Sequence, residues 1–376
     1  MTRYRRILPL FALPAASALV LAGCAGGTDA AGSGDDAITV VASTNVYGDI
    51  AQQVVGDVEG VDVESIITSG AQDPHDYEPS AQDQLTVSRA DLIIENGGGY
   101  DSFIDALIES SGTEAHVITA AESSHDWPGE DGDDSHGHAE EEHSEDEHAA
   151  EGDHSEDEHA AEEEHAAEEE HAAEGDHAEE EHAAEEEHAE EEHDHSGHDH
   201  IEGFNEHVWY DPHTIEHVVE HIAEELGELM PAEADTFLAN AEQFAAEIAG
   251  LGESLAIIAS ENAGAAVFVT EPVPVYLVSA AELENVTPEA FSEAVEEGQD
   301  VPPATLLEAL GLLESGDVRV VIANAQTGGA ETTQVIDAAE TAGIPVIEFT
   351  ETLPEGQTYI SWMQENIEAL AGALAE

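Results

Sequence analysis

The sequence contains no lysine, and besides histidine its only basic residues are five arginines. Against them stand 88 acidic residues, for a formal charge of −83. Proteins hold nucleic acid and anionic lipid surfaces with Lys and Arg, so charge alone excludes both as partners of the folded surface. Such a chain attracts cations. An acid-biased or salt-adapted proteome is the alternative explanation of that charge. There is one cysteine, Cys24, so no intramolecular disulfide forms. No apolar run beyond residue 22 is long enough to span a bilayer. The sequence also lacks a His-Glu-x-x-His helix, a Gly-x-Ser-x-Gly elbow and a Walker-type phosphate loop, and an enzyme is not expected.

What is present is concentrated in residues 125–200. This block is built almost wholly from Glu, His, Ala, Asp and Gly, and holds sixteen of the 22 histidines and 35 of the 88 acids. A packed core cannot form from it, so it is expected to be a disordered insert in solvent. Imidazole and carboxylate together are ligands for divalent transition metals. From His159 to His177 the histidines recur every six residues. Six residues turn a helix by about 600°, so successive histidines share no face, and loose multiple binding is expected. His193, His195, His198 and His200 are the densest cluster and the expected weak secondary metal sites.

The amino terminus reads as an export signal. Arg3, Arg5 and Arg6 precede an apolar stretch from Ile7 to Ala22. Leu21-Ala22-Gly23-Cys24 looks like a bacterial lipobox. Residues 1–23 are then a cleaved signal peptide, Cys24 carries lipid, and residues 24–36 form a flexible leash. The expected location is the outer face of the cell membrane, held by the lipid.

The rest alternates strand and helix. Residues 37–124 and 201–230 are read as one lobe and 260–376 as another. Residues 231–259 are read as a single linking helix, begun after Pro231. Its apolar positions (Phe237, Leu238, Phe244, Ile248, Leu251, Leu255) roughly follow the helical period. Strict alternation predicts an α/β fold: two lobes, each a mostly parallel sheet flanked by helices, joined by one long rigid helix.

Outside the insert six histidines remain. His75 sits in a loop bounded by Pro74 and Pro79, after the strand that ends near Thr68. His207 precedes the helix start Asp211-Pro212. In the second lobe Glu271 follows the strand Ala265–Val269, and Glu351 follows Ile344–Phe349. Ligands of open parallel sheets bind beyond the carboxyl ends of strands, so two imidazoles can face two carboxylates across a cleft. Asn324 is a candidate to orient a ligand from behind. His213, His217 and His221 form one helical stripe and are read as a solvated face; His116 is read as a surface or sheet-edge residue.

These features together resemble the cluster A-I solute-binding proteins of zinc and manganese ABC importers, solute-binding protein family 9. The resemblance rests on Ala42-Ser43-Thr44-Asn45, Asp73-Pro74-His75, His207-Val208-Trp209-Tyr210-Asp211-Pro212 and Gly343-Ile344-Pro345-Val346, with a His- and acid-rich loop between the second and third. It implies two lobes, one buried metal between them, an ABC permease as partner, and His75, His207, Glu271 and Glu351 as ligands. A monomer is expected. Glu271 stands where many zinc members carry His, and Glu351 where Asp is usual. Two carboxylates make a harder site that suits manganese, whereas the imidazole-rich insert suits zinc. Zinc is the expected ion and manganese the alternative. A surface metal store or adhesin without transport is the rival reading.

Overall fold

The computed structural model describes residues 37–75, 77–128, 201 and 203–376. Cys24, the signal peptide, the leash and the insert histidines His193, His195, His198 and His200 lie outside the described residues.

The first lobe runs β1 (Ile38–Thr44), α1 (Asn45–Val55), β2 (Val61–Ile67), α2 (Ala81–Val87), β3 (Leu92–Glu95), α3 (Phe103–Ser111) and β4 (His116–Thr119). Its four strands lie in the order β2-β1-β3-β4 and pair in parallel. All four residues of β3 are buried, as expected of a strand covered by helices on both faces. The amino end of α2 is fixed by a capping box between Ser80 and Asp83.

Chain direction then changes through α4 (Pro212–Leu229) and α5 (Ala234–Asn262). Asp211 caps α4, accepting from the backbone N–H of His213 at 3.1 Å and of Thr214 at 3.3 Å. Pro212 occupies the first turn, where its missing donor is harmless. At 29 residues α5 is about 44 Å long. Its buried residues, Phe237, Ala241, Phe244, Ile248, Leu251, Leu255 and Ile258, alternate four and three apart and make one apolar stripe. Leu238, expected on that stripe, is 45% exposed. It adjoins Phe237 in sequence, and a neighbour is turned about 100° around the helix.

The second lobe runs β5 (Ala266–Val269), α6 (Val275–Ala280), β6 (Glu284–Asn285), α7 (Glu289–Glu296), α8 (Pro303–Ser315), β7 (Val320–Asn324), α9 (Ala330–Ala342), β8 (Val346–Phe349) and α10 (Tyr359–Leu374). The sheet is parallel in the order β6-β5-β7-β8, which repeats the first lobe's winding. The sequence reading assigned no element between 282 and 301, where β6 and α7 stand. A two-residue strand is too short for any period to show, and α7 buries only Phe291 and Val295 among acids.

Successive strand residues face opposite sides of each sheet. Val40, Leu92 and Val267 join a single apolar core that also takes in α4, α5 and α10. Val41 and Ile93 join a separate outer cluster of the first lobe, and Phe268 and Val321 one of the second. The main core is thus shared by both lobes along α5. Polar links add to it. Asn45 exchanges two hydrogen bonds with the Leu353 backbone, at 2.8 and 3.0 Å. Tyr359 donates its hydroxyl to the Trp209 carbonyl at 2.8 Å. Among the described residues no helix is long and apolar enough to cross a membrane.

Candidate metal centre

The carboxyl ends of the two sheets face each other, and the chemistry-bearing side chains lie between them. His75 stands on the loop between β2 and α2, shaped by Asp73 Oδ1, which accepts the His75 backbone N–H at 2.9 Å. Its side chain is 8% exposed and meets the Tyr100 ring edge-on at 4.8 Å.

His207, fully buried, enters from the strand-less segment before a 3₁₀ turn, Val208–Tyr210. Several contacts fix that segment. Asn96 donates to the Glu206 carbonyl at 2.8 Å. Gly98 has a φ of 69°, and a Cβ there would come 2.9 Å from the Phe204 ring. Only glycine lets the loop after β3 pass so close to the His207 segment while holding that backbone angle. Asn205 orients the imidazole. Its Oδ1 lies 2.8 Å from His207 Nδ1 and accepts the His207 backbone N–H at 3.1 Å. A proton on Nδ1 leaves the Nε2 lone pair for a cation. Asn205 also donates to the Pro272 carbonyl at 3.0 Å, and Tyr276 donates to the Asn205 carbonyl at 2.8 Å, so the same residue ties the lobes together. Sequence reasoning missed Asn205, because an Asn in a loop carries no periodic or motif signal.

The second lobe contributes carboxylates. Glu271, just past β5, and Glu351, just past β8, are each 2% exposed. Asn324, the last residue of β7, donates to Glu271 Oε2 at 2.8 Å and to Glu351 Oε1 at 2.6 Å. The Thr327 hydroxyl also donates to Glu271. Tyr100 reaches across from the first lobe to Glu351 Oε2 at 3.3 Å. Gln326 clasps the Glu351 loop. Its Oε1 accepts from the backbone of Glu351 at 2.6 Å and Thr352 at 3.0 Å, while its Nε2 donates to the Gly70 carbonyl of the other lobe at 2.8 Å.

Donor atoms of His75, His207 and Glu351 lie within 4.8 Å of one another. His75 Nε2 and Glu351 Oε2 are 4.0 Å apart. Glu271 is not in that group. A second group that the sequence did not suggest comprises His75, Glu206 and Glu296, also within 4.8 Å. Glu296 is the last residue of α7, and its Oε1 is 3.7 Å from His207 Nε2. In so acidic a chain one more Glu gives no signal until tertiary burial singles it out.

Carboxylates of Glu206, Glu296 and Glu351 thus approach the two imidazoles, with Glu271 joined to Glu351 through Asn324, and the chain has no lysine to offset them. Burial pushes the Glu351 carboxyl up to about 8, aided by the charges of Asp73 and Glu271 and opposed by the Asn324 and Tyr100 hydrogen bonds. Burial raises Glu271 too, against the hydrogen bonds from Thr327 and Asn324. Glu296 is pushed up to about 10, first by burial and then by repulsion from Glu206, Glu271 and Glu351. Each shift says that the site disfavours uncompensated negative charge.

The remaining histidines lie elsewhere. His116 is exposed on the edge strand β4, with Nδ1 hydrogen-bonded to Glu225. His213, His217 and His221 are exposed on α4, and the first two rings lie 4.8 Å apart.

Fold and cleft define a class: paired α/β lobes with one enclosed donor cluster between them. The chain matches the family described as zinc-uptake complex component A, periplasmic (ZnuA), over residues 40–373, and it belongs to that family. Among curated proteins it is 37% identical over 99 residues to a protein named manganese ABC transporter substrate-binding lipoprotein PsaA, from Streptococcus pneumoniae. That match covers 25% of this chain and 31% of the relative, so it spans about a third of the relative's length. A second relative, named manganese-binding lipoprotein MntA, from Halalkalibacterium halodurans, is 29% identical over 124 residues, 32% of this chain and 39% of the relative. Among solved structures, a ZnuA crystal structure superposes with a TM-score of 0.58 at 17% identity, covering 90% of this chain and all of that one. The periplasmic zinc-binding protein TroA of Treponema pallidum gives 0.60 at 15% identity, covering 90% and 99%. At these identities the structural likeness speaks to the fold.

Proposed function

We propose that this chain is an extracytoplasmic solute-binding protein that captures a divalent transition metal, zinc in preference to manganese, and delivers it to an ABC permease. The observation that carries the reading is the convergence of buried His75 and His207 from one lobe with Glu351 from the other, their donor atoms within 4.8 Å. The metal is cargo rather than a cofactor. Family membership and the names of the relatives support a transport role over catalysis. Lipid on Cys24 tethers the chain beside its importer, and the 125–200 insert raises the local metal concentration.

In this reading neutral imidazoles of His75 and His207 and carboxylates of the second lobe, Glu351 with Glu271 as the resemblance implies, enclose the ion. Asn324 holds the carboxylates and Asn205 turns His207. A filled shell of protein ligands suits binding, since a catalytic site keeps a position open for water. The shared core along α5 restricts lobe opening, so release works through the ligand loops rather than through a wide hinge.

The test is competitive titration with zinc and manganese of a variant lacking residues 125–200. Parent side chains at 75 and 207 should give one tight zinc site, and the His75→Ala/His207→Ala variant none. Unchanged tight binding in the double variant refutes the assignment. Tighter binding of manganese than of zinc would replace the ion and keep the site.

A further inference from the structure

We propose a second metal site on the outside of the first lobe, in which His116, Glu225 and Glu228 hold one zinc-class cation and clamp the edge strand β4 to α4. His116 opens β4, at the end of the strand opposite the cleft. The site therefore stands apart from the interlobe donors, and it holds or fails independently of the metal-capture reading.

Donor atoms of the three residues lie within 4.8 Å of one another, and His116 Nδ1 is 2.5 Å from Glu225 Oε2. Zinc bonds of about 2.0–2.1 Å put two tetrahedral ligands roughly 3.4 Å apart, so the trio needs only a small rearrangement to share an ion. Glu225 and Glu228 are three residues apart on α4 and share one face. The frame beneath them is fixed. Ile222, Ala223 and Leu226 of α4 are fully buried, and His116 is in register with Leu92 in the sheet. The side chains are not fixed: that of His116 is half exposed. One imidazole with two carboxylates suits zinc better than magnesium or calcium. Three protein ligands leave a coordination position to water, and an exposed site of this kind is weaker than an enclosed one.

Charge also calls for a cation here. Two carboxylates face one imidazole, and beyond residue 6 the chain has only Arg89 and Arg319 as fixed cations. The hydrogen bond and charge of Glu225 raise the His116 imidazole above its ordinary 6.5, with a smaller push from Glu228. A proton on His116 balances one carboxylate of the two. Zinc displaces that proton and balances both.

Placement in the chain gives the site a purpose. His116 precedes the 125–200 insert, and Glu225 follows it, 109 residues further on. Docking β4 on α4 closes that whole loop, at an entropy cost that rises with its length. The strand is thinly held. Of its four residues only Ile118 is buried, and β4 is the outer edge of the sheet. A metal bridge between the two sides of the insert strengthens the contact where it is weakest.

The test is hydrogen exchange of residues 116–119, read by mass spectrometry. It uses the metal-free full chain carrying His75→Ala and His207→Ala, so that the cleft takes no part, with zinc ion alone as probe. At ten times the half-saturating zinc concentration, exchange through opening of β4 should slow about tenfold. His116→Ala or Glu228→Gln, added to that background, should abolish the slowing. Glu228→Gln is the sharper variant, because it leaves the His116–Glu225 pair in place, and a plain ion pair predicts no change there. No slowing by zinc, or slowing that survives in either variant, overturns the site. Equal slowing by magnesium means charge screening and overturns it too. In zinc-loaded crystals of the parent chain an anomalous peak should also stand about 2.0–2.2 Å from a His116 nitrogen. None of these failures touches the cleft, whose test is the zinc affinity given by His75 and His207.

Discussion

The two lobes wind their sheets in the same order, yet they bring opposite chemistry to the cleft. The first offers nitrogen donors, His75 on a proline-bounded loop and His207 on a segment clamped by Asn205 and Gly98. The second offers only oxygen donors, Glu271, Glu296 and Glu351, with Asn324 as the brace. Sheet topology therefore decides where a ligand sits, at the carboxyl ends of the strands, and the loops decide what it is. The lobes differ in restraint as well. The His207 imidazole is held from behind by Asn205, whereas Glu296, at the end of a short helix, has an oxygen with no hydrogen-bond donor among the described residues.

The first way to break this comparison is mechanical. Phe244 lies on α5 with its ring 6.3 Å from Tyr359 of α10, inside the core that both lobes share. Phe244→Ala should cost about 3–5 kcal/mol in denaturant unfolding, with one cooperative transition in parent and variant. Two separated transitions in the parent would mean that the lobes are independent after all.

His207→Ala comes next. Loss of a buried imidazole should weaken zinc by more than about 100-fold, or about 2.7 kcal/mol, in a competition titration. Asn324→Ala follows, at about 10–100-fold, because two carboxylates lose a shared donor but the donors to the metal remain. If Asn324→Ala proves as damaging as His207→Ala, the brace matters as much as the ligands.

The smallest effect concerns pH. Glu95, at the end of β3, is raised from its ordinary 4.5 to about 8, mainly by burial and then by the Asp101 charge, against a hydrogen bond from Thr119. A raised carboxyl stabilises the fold in its protonated form. That contribution is whole below pH 4.5 and is lost as pH rises through 8. Glu95→Gln should therefore flatten the fall in metal-free stability across this window. At pH 8 the gain should be on the order of 1 kcal/mol, read as a Tm about 2–4 °C higher. An unchanged pH slope would remove Glu95 from the account.

Much of the fold was legible because its signals are local and periodic. Short β-branched runs mark β1, β3, β5 and β7, and the four-and-three spacing marks α5. His75 and His207 stood out because few histidines lie outside the insert. Glu271 and Glu351 stood out because each follows a strand directly. The rest was not local. β6 has two residues and exists only by pairing with Ala266 and Val267. α7 was hidden by its acids. Glu296 and Asn205 differ from other Glu and Asn residues only in what surrounds them after folding. Leu238 shows the reverse error: an apolar residue beside the stripe was counted on it.

The most direct measurement is an anomalous-scattering map of crystals of the zinc-loaded full chain. The account predicts one strong zinc peak between the lobes, about 2.0–2.2 Å from an imidazole nitrogen of both His75 and His207 and from carboxylate oxygens of the second lobe. A zinc-loaded crystal whose only peaks lie away from these two histidines would contradict it.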